Sequence, residues 1–378
     1  MTTTTDPCVL FDHGPLAGGT LFRAPGAVIR ADGPDEVDAA FAALENARRQ
    51  GKWLAGYASY ELGYLLVDRL RPLLPGHRPE PLLLFGVFDA PQRPTSVAPG
   101  DAALSPFIPA WDFARYRDAF DRVHALIGAG DIYQANLTFP LNARVSGSPA
   151  ALYQRLAAYQ PVPHGAFVDL GGPILLSRSP ELFFRADDAG RVETRPMKGT
   201  LPRDGDAAED AARRTRLASD PKNCAENLMI VDLLRNDLAR VSEVGSVRVP
   251  DLFRVETFAT VHQMTSRVVA QLRPGWTLRT LFDALFPCGS ITGAPKIRAM
   301  EILRELEPAP RGAYCGAIGW VAPTGAMEFN VAIRTLVLPG DGTARLNVGG
   351  GIIHDSTAEA EYEEALWKTR FATSLSQS

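Results

Sequence analysis

The chain has 378 residues, of which 39 are Lys or Arg and 43 are Asp or Glu, so its formal charge is −4. Hydrophobic residues make up 46% and charged residues 22%, which is typical of a globular protein and argues against a disordered or fibrous one. The nearly balanced charge gives no reason to expect nucleic acid or a membrane surface as a partner. No apolar run has the length of a membrane span and the N-terminus lacks signal-peptide features, so we expect a cytoplasmic protein.

The first part of the sequence predicts one helix and one apolar strand, followed by a proline-rich segment. The helix covers residues 34–51, with Asp32 as its N-cap and Gly51 just beyond its last turn. The strand covers residues 81–90. Residues 91–110 contain five prolines, which predicts an extended connector.

The next part predicts a helix, a strand and a pair of strands. The helix is indicated by apolar residues at near-helical spacing, namely Tyr116, Phe120, Val123 and Ile127. Residues 131–145 then predict a strand. Residues 172–186 and 191–200 predict a strand pair around the polar turn Asp187–Gly190.

The last part predicts two helices on either side of a hairpin. The first helix covers residues 224–241, and the hairpin turns at Pro323–Gly325. Its second strand alternates apolar residues with polar ones and has Arg334 on the polar face. The final helix, residues 355–371, has Ser356 and Glu359 at the spacing of a capping box. Together these elements predict an α+β fold dominated by antiparallel strands.

The final helix and the glycines before it are one candidate binding site. Glu361, Glu364 and Lys368 share a helix face, and the run Gly349–Gly351 precedes them. Glycines let a ligand approach the backbone closely and let amides turn toward an anion. An isolated pattern of this kind is more often a solvated charged face.

Three other charged residues are candidates for chemistry. Glu226 lies near the start of an apolar helix and offers a carboxylate ligand for Mg²⁺. Lys198 lies between a strand and Gly199, with Arg195 nearby, and Arg334 can bind a carboxylate with two hydrogen bonds. Taken alone, each has an equally common structural explanation: a glutamate at a helix start, a surface lysine or an outward-facing salt bridge.

Several familiar catalytic patterns are absent from the sequence. Residues 288–297 do not form a P-loop, because Pro295 separates Gly293 from Lys296. No serine or cysteine lies in a nucleophile elbow, so the thiol motif for glutamine hydrolysis is missing. The six histidines form no metal-ligand pair at helical spacing.

Seven segments, in this order, resemble the chorismate-utilising enzymes. They are SRSPELFF (177–184), TRPMKGTLPR (194–203), AENLMIVDLLRNDLARV (225–241), FPCGSITGAPKIRAMEIL (286–303), RGAYCGAIGW (311–320), FNVAIRTL (329–336) and GGGIIHDSTAEAEYEEALWK (349–368). The resemblance covers residues from about 115 to 371, with weaker likeness at 56–64. Seven motifs in this order are far more specific than any one of them. They outweigh the purely structural explanations of the single residues.

The resemblance implies an antiparallel β-sandwich-like core with flanking helices, in one compact domain of two interleaved subdomains. Residues 1–90 would form an N-terminal subdomain that completes the sheet, and 91–110 would be the connector. Residues 111–378 would form the catalytic region that binds chorismate.

Within the family, Lys198 favours the branch that makes 4-amino-4-deoxychorismate, the precursor of 4-aminobenzoate and folate, because the other branches usually have alanine there. The resemblance implies that Lys198 attacks C2 of chorismate while Glu181, as general acid, protonates the departing C4 hydroxyl. Ammonia then adds at C4 and the lysine leaves. Glu181 needs a raised pKa to hold a proton near neutrality. Its separation from Lys198 suggests neighbouring strands.

The resemblance also implies the ligand contacts. Mg²⁺ would bind the ring carboxylate and be held by Glu226, Glu361 and Glu364. Substrate contacts would come from the following residues: Gly199, Thr200, Gln263, Tyr314, Arg334, Gly350, Gly351 and Lys368. Of these, Arg334 and Tyr314 would take the enolpyruvyl carboxylate.

Some positions depart from the family pattern. Gln263 stands where anthranilate-forming relatives have histidine, and His262 is not assigned a catalytic role. Asn223 replaces a frequent acidic residue, which weakens the case for a further carboxylate near the metal. Cys288 replaces a frequent glycine, without an explanation from the sequence. The N-terminal segment lacks the family's tryptophan-binding motif, so tryptophan feedback is not expected.

Because the motif for glutamine hydrolysis is missing, the resemblance implies that ammonia comes from a separate glutamine amidotransferase subunit. Two alternatives stay open. One is an anthranilate-forming enzyme in which Lys198 is merely tolerated. The other is a non-catalytic, chorismate-binding subunit that regulates an amidotransferase.

Overall fold

The structure is a computed structural model, and it describes residues 6–94, 100–258 and 261–373. The described strands are β1 (Cys8–Phe11), β2 (Thr20–Arg23), β3 (Ala27–Ala31), β4 (Trp53–Ala58), β5 (Leu83–Phe88), β6 (Ala102–Leu104), β7 (Ile108–Pro109), β8 (Gln134–Gly147), β9 (His164–Asp169), β10 (Ile174–Ser179), β11 (Leu182–Ala186), β12 (Arg191–Thr194), β13 (Met197–Pro202), β14 (Arg248–Thr257), β15 (Val261–Gln271), β16 (Gly293–Ala294), β17 (Ala317–Val321), β18 (Met327–Val331), β19 (Thr335–Leu338) and β20 (Thr343–Ile352).

The described α-helices are α1 (Val37–Arg49), α2 (Leu62–Leu65), α3 (Phe113–Gly128), α4 (Pro149–Tyr159), α5 (Ala207–Ser219), α6 (Pro221–Ala239), α7 (Leu278–Leu285), α8 (Lys296–Leu306), α9 (Ala358–Trp367) and α10 (Arg370–Thr373). Short 3₁₀ helices cover Pro34–Glu36, Asp68–Leu73 and Gly289–Ile291. Among the residues described, no helix is both long enough and apolar enough to cross a membrane.

The strands form two antiparallel sheets. The first sheet has the order β16-β8-β20-β19-β10-β9-β1-β2, with β6 and β7 also paired to β8. The second has the order β13-β15-β12-β11-β18-β17-β4-β5-β3, with β14 also paired to β15. Strands from the start of the chain therefore lie at an edge of each sheet, and later strands fill the rest. The division at residues 90 and 110 stays a prediction; residues 95–99 of the connector lie outside the described part.

Three hydrophobic clusters hold the layers together. One cluster joins the inner faces of the two sheets, with Val9, Val168 and Val337 facing Tyr57 and Ile318. Another packs helices α1, α6 and α7 on the second sheet, and the third packs α3, α4, α8 and α9 on the first. The predicted α+β sandwich-like fold with flanking helices is confirmed.

A two-stranded ribbon passes from one sheet into the other. β10 pairs with β19 in the first sheet, and β11 pairs with β18 in the second. The chain runs directly from β10 into β11 and from β18 into β19. The expectation of one strand over residues 172–186 is therefore wrong, because Pro180 and Glu181 lie where the chain changes sheet.

Two predicted helix starts are wrong, although the helices are present. The first helical segment begins after Gly33, whose backbone is extended, because the Asp32 carboxylate pairs with the Arg30 side chain at 2.6 and 2.8 Å. Helix α9 begins after Thr357, whose hydroxyl accepts the Ala360 amide at 3.4 Å. The hydroxyl of the expected cap, Ser356, instead donates to Glu361 at 2.7 Å.

Candidate active site

Glu181 and Arg334 lie at the point where the ribbon changes sheet. The Val331 amide donates to the Glu181 carbonyl at 3.1 Å, and the Arg178 amide donates to the Arg334 carbonyl at 2.9 Å. Arg334 has a φ of 51°, in the left-handed region that residues other than glycine seldom occupy. The expectation that Arg334 lies on the polar face of a strand is wrong, because β18 ends at Val331 and the chain then turns into the other sheet.

The Glu181 carboxyl is buried beside two cationic side chains. It is 6% exposed, and the Ser290 hydroxyl donates to its Oε1 at 2.7 Å. Burial raises the pKa of Glu181 to about 7, although the Ser290 hydrogen bond and the charges of Lys198 and Arg334 act to lower it. This is the direction expected for a general acid. Burial likewise lowers the pKa of Arg334, and the Glu181 charge opposes that shift.

The Lys198 amine lies beside the glycine run, within electrostatic reach of carboxylates from two directions. Its side chain is half-buried on β13. A Cβ built on Gly351 would come within 3.4 Å of Lys198 Nζ. The Lys198 charge opposes the burial-driven rise in the pKa of Glu181 and contributes to lowering that of Glu364. The expectation that Glu181 and Lys198 lie on neighbouring strands is wrong. Lys198 is on β13, which pairs with β15, and the pairing of β11 with β12 stops before it reaches Glu181.

Gln263 holds the strand that carries Lys198. Its Nε2 donates to the Gly199 carbonyl at 2.8 Å, and its Oε1 accepts the Thr200 hydroxyl at 2.7 Å. Gly199 has a φ of +74°, and a Cβ there would come within 2.8 Å of the Asn223 side chain, so only glycine fits. Gly199, Thr200 and Gln263, which were predicted to contact substrate, thus lie together next to Lys198 and fix its backbone.

The glycine run separates two groups of side chains. A Cβ on Gly350 would come within 2.8 Å of Glu361 Oε2 and 3.7 Å of Lys368 Nζ. A Cβ on Gly351 would instead come within 2.2 Å of Gln134 Nε2, on the side where Lys198 lies. Successive residues of β20 point to opposite faces, so the two glycines open space on both.

The carboxylates of α9 are less buried than Glu181 and lie among lysines. Glu364 forms an ion pair with Lys368 at 2.9 Å, and Lys368 Nζ also donates to the Gly349 carbonyl at 2.8 Å. Burial raises the pKa of Glu361, and the neighbouring Glu364 charge adds to that rise. Burial also acts to raise the pKa of Glu364, but the Lys368 ion pair, with Lys198 and Lys222, lowers it overall.

The third predicted metal ligand, Glu226, lies on α6, one turn after Lys222. The Lys222 charge acts on both Glu361 and Glu364, so the start of α6 faces α9. In the described ranges, no group of three or more His, Cys, Asp or Glu residues is close enough together to hold a metal ion. Mg²⁺ usually takes only one or two carboxylates, with water and substrate supplying the other oxygens. The oxygen donors of Glu361 and Glu364 fit that chemistry.

Tyr314 lies three residues before β17 and belongs to the hydrophobic cluster on the second sheet. It is 5% exposed within the core, and burial raises the pKa of Tyr314 well above its ordinary value. The next residue, Cys315, donates its amide to the Ala332 carbonyl at 2.9 Å.

Carboxylates from the N-terminal part of the chain support the segment before Tyr314. Glu61 accepts the Arg311 and Gly312 amides at 2.7 and 3.0 Å, and Glu80 accepts the Ala313 amide at 2.5 Å. Residues far apart in sequence thereby fix the backbone that precedes Tyr314.

Sequence reasoning missed two residues of this site. Ser290 contacts Glu181 directly. Gln134 is fully buried beside Gly351, and within the described ranges neither of its amide atoms has a hydrogen-bond partner. The available signal was a strand in which polar residues (Gln134, Asn136, Thr138) alternate with apolar ones, since a buried glutamine normally needs a polar partner.

This chain belongs to the family of chorismate binding enzymes, whose pattern matches residues 6–374. Among its relatives, aminodeoxychorismate synthase component 1 of Klebsiella aerogenes is 46% identical over 253 residues, which are 67% of this chain and 56% of that protein. The protein of the same name from Escherichia coli (strain K12) is 45% identical over 254 residues, again 67% and 56%. The chain thus spans about half the length of these relatives.

Relatives with other names are also similar. Anthranilate synthase component 1 of Methanothermobacter marburgensis is 41% identical over 256 residues, which are 68% of this chain and 55% of that protein. The crystal structure of anthranilate synthase component I from Streptococcus pneumoniae TIGR4 has a TM-score of 0.75 at 28% identity and covers 98% of this chain and 93% of that one. The resemblance found in the sequence is confirmed at the level of the family.

Proposed function

We propose that this chain converts chorismate and ammonia to 4-amino-4-deoxychorismate, and that it does so with Mg²⁺ through a covalent bond to Lys198. The observation that carries the proposal is the place of the Lys198 amine beside Gly351, within electrostatic reach of the buried acid Glu181 and of Glu364. The similarity to two proteins named aminodeoxychorismate synthase component 1 supports it.

The chemistry divides one difficult substitution into two steps. Neutral Lys198 forms an N–C2 bond, the ring double bond shifts, and the C4–O bond breaks. Glu181 gives its proton to the departing oxygen, which leaves as water. Ammonia then forms the N–C4 bond while the C2–N bond breaks, and the protons released return the lysine and Glu181 to their starting states. A carboxyl with a pKa of about 7 can both give and retake a proton near neutrality.

The remaining residues bind and orient the substrate. Arg334 suits the enolpyruvyl carboxylate because its half-buried side chain lies at the sheet crossing, within electrostatic reach of Glu181. Glu361 and Glu364 would hold Mg²⁺, which when bound would neutralise charge that moves to the ring carboxylate. Glu226 forms no three-carboxylate group with them in the described ranges. Lys368 adds positive charge beside Glu364.

Ammonia is mostly ammonium at neutral pH, so direct delivery is advantageous. We propose that a separate glutamine amidotransferase subunit supplies it and that both act in the cytoplasm. The "component 1" in the names of the relatives is consistent with such a partner.

The direct test is product identity. The purified chain is incubated with chorismate, ammonium and Mg²⁺, and the product is identified by mass and chromatography. We expect 4-amino-4-deoxychorismate with ammonium and none with glutamine until an amidotransferase subunit is added. Direct formation of fluorescent anthranilate would favour the anthranilate-forming alternative. Chorismate binding without turnover in excess ammonium would favour a regulatory subunit.

A further inference from the structure

Glu181 is the end of a buried chain of three polar side chains. The Ser290 hydroxyl donates to Glu181 Oε1 at 2.7 Å, and the Cys288 sulfur lies 3.2 Å from the Ser290 oxygen. All three residues are less than a tenth exposed. Cys288 and Ser290 lie on either side of Gly289, where the 3₁₀ helix Gly289–Ile291 begins, so the backbone fixes their spacing.

The direction of the chain follows from counting protons. A serine hydroxyl has one proton, and the Ser290 proton is engaged by Glu181 Oε1. The contact between Cys288 and Ser290 therefore has the thiol as its donor. Burial raises the pKa of Cys288 to about 12, so the thiol keeps its proton at neutral pH. The hydrogen bonds thus all point one way, from sulfur through hydroxyl to carboxyl, and such bonds strengthen one another.

We infer that Ser290 and Cys288 are positioning residues that distinguish the two carboxyl oxygens of Glu181. The inference rests on the proposed function, in which Glu181 is the general acid. Oε1 is held as the acceptor of the Ser290 hydroxyl, so the transferable proton resides on Oε2. When that proton leaves for the C4 oxygen, the Oε2–H bond breaks and the new charge is shared with Oε1. Ser290 stabilises that charge without moving.

The other groups that face Glu181 are known, so the effect of the chain can be separated from theirs. Lys198 on β13 and Arg334 at the sheet crossing both favour the charged carboxylate, and Cys288 is held neutral. Ser290 also favours the carboxylate. Removing its hydroxyl leaves burial opposed by the two cations alone, so Glu181 must hold its proton to higher pH.

The test compares Ser290→Ala, Cys288→Ala and Cys288→Ser with a control variant, Cys8→Ala. The control removes a thiol from β1, which takes no part in the hydrogen bonds to Glu181. We expect Ser290→Ala to move the alkaline limb of the kcat–pH profile upward by roughly one pH unit, the scale of one hydrogen bond to a charged group. KM for chorismate should stay within about twofold, since the chorismate contacts are untouched. Cys288→Ala should shift the limb less in the same direction. Cys288→Ser should restore it, because a hydroxyl donates in place of the thiol.

A second measurement does not need turnover. In infrared spectra of the resting protein, the Cys288 S–H band, identified by its loss in Cys288→Ala, should move to higher frequency in Ser290→Ala as its hydrogen bond is lost. The protonated Glu181 C=O band, identified with Glu181→Gln, should move as well. An S–H band that does not move would show that Cys288 donates no hydrogen bond to Ser290, and it would overturn the inference even if the enzyme is active. If both bands move but another product forms, the hydrogen-bonded row from Cys288 to Glu181 is supported and the proposed reaction is wrong. Equal pH profiles in all variants would also refute the inference.

Discussion

Two groups of charged side chains lie on either side of Gly350 and Gly351, and their glutamates differ in burial. The strand wall, defined by Glu181, Lys198 and Arg334, is built where the ribbon changes sheet. The helix wall, defined by Glu361, Glu364 and Lys368, is one face of α9. Glu181 is 6% exposed, whereas the Glu364 side chain is 59% exposed.

The difference in burial suits each wall to a different task. In the strand wall, desolvation outweighs nearby positive charge, so the carboxyl keeps its proton to about pH 7 and can act as an acid. In the helix wall, Lys368 outweighs desolvation and Glu364 stays charged, as a ligand of a hard cation must be. Residue type alone does not separate these roles, because both walls use glutamate near lysine.

Lys198→Ala should abolish chemistry in the strand wall while the helix wall still binds. We expect turnover with ammonium to fall by on the order of 10⁴-fold, the scale seen when a catalytic nucleophile or its direct partner is removed. Mg²⁺-dependent chorismate binding, measured by calorimetry, should change only a few-fold. Lys52→Ala is the matched control, because Lys52 pairs with Asp89 on the surface, at 2.6 Å. Near-normal turnover of Lys198→Ala would remove the covalent step.

Glu181→Gln should change how stability depends on pH. The folded-state pKa is raised from 4.5 to about 7, so the folded protein binds this proton more tightly than the unfolded chain. That advantage is complete at low pH and is lost as pH rises through the window from about 4.5 to 7, by about 3 kcal/mol in total. Urea unfolding at pH 5 and 7.5 should show this loss in the parent protein and not in the variant. Identical pH dependence would mean that Glu181 is not buried as a neutral acid.

Glu364→Gln should act on the helix wall alone. Losing one charged oxygen ligand should weaken Mg²⁺ binding by roughly tenfold, because Mg²⁺ relies on few protein carboxylates. The matched control is Glu363→Gln, which removes the same charge from the adjacent exposed position of α9. Isothermal calorimetry with Mg²⁺ and chorismate measures both. Equal affinities in the two variants would show that Glu364 is not a ligand.

The sequence predicted much of the fold because local patterns decide much of it. The hairpin at Pro323–Gly325 is confirmed as β17–β18, and the turn at Asp187–Gly190 is confirmed between β11 and β12. The second predicted strand, residues 191–200, is divided into β12 and β13. The change of sheet between Ser179 and Leu182 could not be predicted, because it depends on strands β18 and β19, which lie about 150 residues further along the chain. The predicted helix starts were wrong where the expected cap bonded a nearby side chain instead of the helix end, as Asp32 and Ser356 did.

The site divides in the same way. Ordered motifs pointed to Lys198 and Glu181 as candidates, and the structure places the two within electrostatic reach of each other. The motifs could not predict that the nitrogen and the oxygen of the Gln263 side-chain amide both bond residues of β13, because that depends on the register of β15 against β13. Nor could they explain Cys288, since its relation to Glu181 passes through Ser290 in three dimensions.

The smallest expected effect comes from Gly350→Ala, and it tests whether the two walls are independent. The new Cβ would come within 2.8 Å of Glu361 Oε2, the far end of a flexible side chain, so the carboxylate can move aside. We expect a few-fold loss of Mg²⁺ affinity and an almost unchanged melting temperature. Gly351→Ala is the contrasting variant, because its Cβ would come within 2.2 Å of the buried Gln134 amide and 3.4 Å of Lys198 Nζ. It should lower the melting temperature and kcat while Mg²⁺ affinity is largely kept. If both variants lose metal affinity equally, the glycines serve one continuous site and the division into two walls is wrong.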